Sequence, residues 1–178
     1  DDYGGSDTLA WPVTSIIDLT RGLVAYYPFN GNADDESGNG NDGVVVGAGL
    51  AADRFGSDRR SYQFRGGEEY ISADHDSSIN FDDDPFTVVC WFRTHSDQQM
   101  FLVGKYLDSE PNQSWNIALN KPGTEGCARA VVRWTSGSGF RSLATTRSVT
   151  DHVWHCLTLV RSDSTLLLYL DAMQQDTV

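Results

Sequence analysis

The sequence predicts an all-β sandwich, and three observations predict it. From Leu23 onward short apolar runs alternate with clusters of Gly, Asp, Asn and Ser at the spacing of sandwich strands and their turns. No run keeps a 3.6-residue apolar period, and Pro and Gly fall between runs rather than inside them. Acid is supplied as 20 Asp against only 5 Glu; Asp competes with the helical backbone for hydrogen bonds and Glu does not, so few helices are expected. At 178 residues the chain suits one domain with a real core.

Taken in order, residues 1–20 form an N-terminal extension, polar and Gly-rich and then apolar, able to cover a sheet edge or join a partner. The domain is expected over 21–178. Phe86, Val88, Cys90 and Phe92 make one face of a strand and Thr87, Val89, Trp91 and Arg93 the other; both faces are mostly apolar, which predicts a central strand covered on both sides. Trp115, Ile117 and Leu119 alternate with Asn116 and Ala118 as a half-buried strand does. Ala130, Val132 and Trp134 alternate with Arg129, Val131 and Arg133, an arginine-faced strand. Two strands, 153–160 and 166–170, then flank the turn at 161–164 as a hairpin.

The stretch 22–43, GLVAYYPFNGNADDESGNGNDG, passes from an apolar strand into a loop of oxygen-bearing side chains and glycines. Hard cations such as Ca²⁺ take six to eight oxygens on a flexible scaffold, which such a loop supplies. A solvated turn of the same composition is the competing reading.

This stretch, together with SYQFRGGEEYISADHDSSINFDDDPFTVVCWFR and VWHCLTLVRSDSTLLLYLDA, resembles the laminin-G-like, concanavalin A-like jelly-roll domains common in secreted bacterial proteins. The resemblance implies a concanavalin A-like jelly-roll β-sandwich in which GLVAYYPFNGNA is the opening strand, DESGNGNDG the loop after it and YQFRGGEEYIS the next strand pair. It also implies a structural Ca²⁺ held by Asp35 with Asn30, Asn32, Gly38 and Asn39. Family members run on through further strands, so it implies a sandwich incomplete at its C-terminal end, its last strands missing or supplied by another chain. The family's hairpin usually ends in Asp-Gly; here Asp171 is followed by Ala172.

The net charge of −12 excludes a nucleic-acid partner, which needs a basic footprint, and no run is long and apolar enough for membrane insertion as a helix. Cys90, Cys127 and Cys156 are odd in number. All three pairings are open; Cys90 and Cys156 are carried as the candidate disulfide for an oxidising compartment. No strand carries the paired carboxylates of a glycosidase, and His75, His95, His152 and His155 sit in no nucleophile motif, so the expectation is a binding module rather than an enzyme. Sugar sites combine an aromatic platform with amide and guanidinium groups. Trp115 with Asn116, Tyr106 beside Lys105, and Trp134 with Arg133 have that mixture, each weighed against burial in the core. The expectation is an extracellular glycan-binding module; the alternative is a subunit of a surface fibre or coat, assembled through the N-terminal extension and exposed strand edges.

Overall fold

The computed structural model describes residues 20–74, 76–81, 84–105, 114–133 and 139–178. The N-terminal extension lies outside the described residues except at Thr20. The chain falls into two compact units, one of residues up to Asp53 with Ser57–Asp74, the other of Arg54–Gly56 with His75–Val178. Every regular element among the described residues is a strand apart from one 3-10 turn, as the all-β expectation requires.

In the first unit β1 (Gly43–Val46), β2 (Gly49–Ala51), β3 (Ser61–Gln63) and β4 (Tyr70–Ala73) form two antiparallel ribbons. β1 pairs with β4 and β2 with β3. The expected strand pair within YQFRGGEEYIS is therefore corrected: its two halves are strands, but each pairs with one from 43–51. The expected opening strand GLVAYYPFNGNA, residues 22–33, is corrected as well, since no ladder includes it among the described residues. Loop groups take its backbone instead. The Asn39 amide donates to the carbonyls of Leu23 and Val24, and the Asn41 amide donates to that of Val24.

The second unit is the sandwich. β5 (Phe86–Phe92) pairs with β10 (His155–Ser162), which pairs with β11 (Thr165–Leu170), which pairs with β12 (Met173–Thr177). The facing sheet runs β6 (Met100–Lys105), β7 (Trp115–Leu119), β8 (Ala128–Arg133), β9 (Phe140–Ala144), all antiparallel. Alternation sends Leu157, Leu159, Leu166, Leu168 and Leu170 inward from one sheet and Ile117, Leu119, Ala130, Val132 and Leu143 from the other, and they fuse into one buried cluster. On the far side of the first sheet Val89 and Trp91 are about half exposed. Among the described residues β5 is thus an edge strand in its ladder with one buried face, and the expectation of a central strand covered on both sides is corrected: an apolar second face is not evidence of a second cover.

Register also decides the cysteines. Leu157 stands opposite Cys90 and Trp91 opposite Cys156, and paired residues share a face, so Cys90 points into the sandwich and Cys156 away from it. The candidate Cys90–Cys156 disulfide is corrected on this ground, and all three cysteines are free. Burial pushes the Cys90 thiol up to about 12, leaving it protonated and inert.

Candidate functional site

The loop of the first unit is organised by one carboxylate. Asp35 Oδ1 accepts from the backbone N–H of Tyr26 at 2.8 Å and of Ser37 at 2.9 Å. Its Oδ2 accepts from the Ser37 hydroxyl at 2.8 Å and from the Asn41 N–H at 3.0 Å. Partial burial opposes the charge, but these donors outweigh it and hold the carboxyl below its usual range. A carboxylate offers about four lone-pair sites, and four donors fill them. Asn30 Oδ1 accepts from the Arg60 guanidinium, Asn32 Oδ1 accepts from the Asp34 N–H, and Asn39 donates its amide to the carbonyls of Leu23 and Val24. Gly38 turns the loop at φ +88°, a conformation side chains disfavour. The residues expected to hold Ca²⁺ are thus gathered in one place, with the side-chain oxygens of Asp35, Asn30 and Asn32 facing hydrogen-bond donors.

In the second unit the strands 100–105, 115–119, 128–133 and 140–144 contain Lys105, Arg129, Arg133 and Arg141 and no acidic residue. In a chain of net charge −12 this sheet is locally basic. Its outer face is fixed by register. Phe101, Ala118, Arg129 and Ala144 lie in one row, Gly104, Asn116, Val131 and Ser142 in the next, and Arg133 stands opposite Phe140. Phe101 is 63% exposed and Phe140 51%. The Lys121 ammonium sits 4.4 Å from the Phe101 ring centre and the Arg133 guanidinium 5.5 Å from that of Phe140. The Arg129 guanidinium donates to the Ser142 hydroxyl at 3.1 Å. Arg141 pairs with Val132, an inward residue, and so leaves the face shared by Arg129 and Arg133.

Of the residues expected to bind a ligand, Asn116 and Arg133 meet on this outer face and Trp115 does not. Trp115 points inward, stacked on Phe81 at 5.7 Å and tilted against Phe86 at 6.0 Å, a core aromatic rather than an open platform. Tyr106 and Trp134 lie outside the described residues.

Trp115 instead borders a small recess at the end of the sandwich. A 3-10 turn, Ser77–Ile79, capped by Asp76 Oδ1 accepting from the Ser78 N–H at 2.7 Å, delivers Asn80 and Phe81 to it. Ser114 and Arg161, both 3% exposed, complete the wall with Lys105 and Arg133. Asn80 Oδ1, Ser114 Oγ and Trp115 Nε1 are buried there without a hydrogen-bond partner.

A third cluster was not legible in the sequence. Buried His155 bridges two carboxylates, Nδ1 to Asp171 at 2.9 Å and Nε2 to Asp151 at 3.0 Å, and Asp171 also accepts from the Cys156 N–H and from Arg147. The Val153 N–H and then His155 hold the Asp151 carboxyl low. For Asp171 burial works the other way, but Cys156, His155 and Arg147 outweigh it and its carboxyl is also low. The cluster braces the start of β10 against the β11–β12 turn. Its sequence signal, a strand-end Asp before a tight turn, reads as turn chemistry alone.

A family model described as the concanavalin A-like lectin/glucanases superfamily matches residues 65–178. Among solved structures the chain is similar to an S-layer domain-containing protein from Clostridium thermocellum ATCC 27405, at 18% identity and a TM-score of 0.53, over 86% of this chain and 71% of that one. At that identity the likeness speaks to fold alone. No curated protein matches the sequence.

Proposed function

The chain belongs to the concanavalin A-like lectin/glucanases superfamily, and from that premise we propose that it is an extracellular, non-catalytic module that binds glycans on the outer face of the β6–β9 sheet. One observation carries the reading: two exposed aromatic rings, Phe101 and Phe140, flank Asn116, Arg129 and Arg133 on a sheet whose strands hold no acid. Rings supply the apolar surface on which a pyranose stacks, and the amide and guanidinium groups bond its hydroxyls. A printed array of neutral and acidic oligosaccharides tests it. Wild type is expected to bind a defined subset, and Phe140→Ala to weaken that binding about fivefold, the loss of roughly 1 kcal/mol of aromatic contact. No binding to any glycan overturns the reading.

A second reading, a subunit of a surface layer, is supported by the similarity to an S-layer domain-containing protein and by the half-exposed Val89 and Trp91 on edge strand β5. Size-exclusion chromatography and electron microscopy separate the two. Concentration-dependent assembly favours the layer; a stable monomer that binds glycans favours the module.

A further inference from the structure

We propose that Asn39, followed by Gly40, is a site of spontaneous deamidation, and that the reaction loosens the hold of the loop on Leu23 and Val24. The chemistry favours a neighbour without a side chain, because the backbone nitrogen of the next residue must reach the Asn side-chain carbonyl carbon. Gly40 N bonds to Asn39 Cγ, the Cγ–Nδ2 bond breaks, and Nδ2 leaves as ammonia with the Gly40 amide proton. Water then opens the cyclic imide, giving Asp by addition at Cγ and isoaspartate by addition at the main-chain carbonyl. The chain holds two Asn-Gly steps, Asn30-Gly31 and Asn39-Gly40. Both Asn side chains are tied down: Asn30 donates to Glu36 at 3.0 Å and accepts from Arg60, while the Asn39 amide donates to the Leu23 carbonyl at 2.8 Å and to the Val24 carbonyl and Ser37 Oγ at 3.0 Å each. The attacking nitrogens differ. Gly31 N–H donates to the Phe29 carbonyl at 2.8 Å and is held there, whereas Gly40 N–H meets no acceptor among the described residues. Asn39 and Gly40 are exposed, and the space beside the Gly40 Cα is open. The related Asp42-Gly43 step is closed off, since Gly43 N–H donates to the Ala33 carbonyl at 2.8 Å and a Cβ there would stand 2.8 Å from Ile71. A carboxylate at position 39 has no N–H to give. The Leu23 carbonyl then loses its donor and faces a negative oxygen, and Val24 keeps only the Ser37 hydroxyl and the Asn41 amide.

The full chain, aged in warm, mildly alkaline buffer both folded and in denaturant, tests this, with conversion at each Asn read by peptide mapping and mass spectrometry. In the folded chain Asn39 is expected to convert several-fold faster than Asn30; in denaturant, where the Gly31 N–H is released, the two rates converge. Asn30 keeping pace with Asn39 in the folded chain overturns the site. So does an Asn39 that stays intact in the folded chain while both convert in denaturant. Asn39→Asp copies one product directly and is expected to melt a few degrees below wild type, the scale of one opposed hydrogen bond in a chain of this size. Aged wild type should follow it as conversion at Asn39 proceeds. Aged chain converted at Asn39 with its melting temperature unchanged overturns the loosening, whatever the variant does.

Discussion

Around Asp35 the chain is held by hydrogen bonds converging on one carboxylate, whereas between the two four-stranded sheets it is held mainly by packed apolar side chains. The loop needs a single oxygen-rich residue at one position, and its neighbours contribute mostly backbone N–H groups. The core spreads its stabilisation over many leucines with Ile117, Val132 and Val149, each 2% exposed or less. A hydrogen-bond hub fails when its one acceptor is lost. A packed core loses stability in proportion to the volume removed.

The largest expected effect lies in the core. Leu168→Ala, at a fully buried position, should cost about 3 kcal/mol in chemical denaturation, the transfer and cavity terms of a leucine removed from a packed interior. A loss below about 1 kcal/mol would mean that this part of the sandwich is loosely packed. Asp35→Ala comes next, at about 2 kcal/mol, because four donors lose a charged acceptor at once. The same measurement sharpens the contrast with a cation-held loop: wild type is expected to melt at the same temperature in EDTA and in excess Ca²⁺. A clear rise with Ca²⁺ would show that the cation displaces these donors.

Two smaller effects probe the brace around His155. Asp171 and Ala172 both take positive φ, +51° and +64°, in the two-residue turn between β11 and β12. Alanine is strained there, so Ala172→Gly should stabilise by about 1 kcal/mol in the same denaturation assay. The carboxyl of Asp171 titrates lower in the folded chain than in the unfolded one. Its contribution is therefore complete above the ordinary carboxylate range and is lost as pH falls through the folded-state value. Melting temperature should drop on acidification below about pH 4, and Asp171→Asn should flatten that acid limb while lowering stability at neutral pH.

The sandwich strands were legible where alternation is strong. The 86–92, 115–119, 128–133 and 155–170 segments follow side-chain period, and the hairpin after Ser162 follows its turn residues. Strands β6, β9 and β12 carry little sequence signal: MFLVGK and FRSLA are short apolar runs without clean alternation, and MQQDT has almost no apolar residue to mark a strand. Of the site, Asn116 and Arg133 were identified by residue type, but Phe101 and Phe140 were not, because an exposed phenylalanine looks like a core residue until its neighbours are known. The clustering of Asp35 with Asn30, Asn32 and Asn39 was readable too, but not what their oxygens do.

The amino-acid order by itself determined the all-β class, the oxygen-rich loop and the alternation that divides each sandwich strand into two faces, since these depend on period, turn chemistry and composition within a few residues. Tertiary structure alone decided strand partners and register. Those long-range choices set Cys90 and Cys156 on opposite faces, turned Trp115 inward, made β5 an edge, and spent the lone pairs of Asp35 on N–H and O–H donors. Partnering joins residues far apart in the chain, and local pattern carries no record of which distant group satisfies a given polar atom.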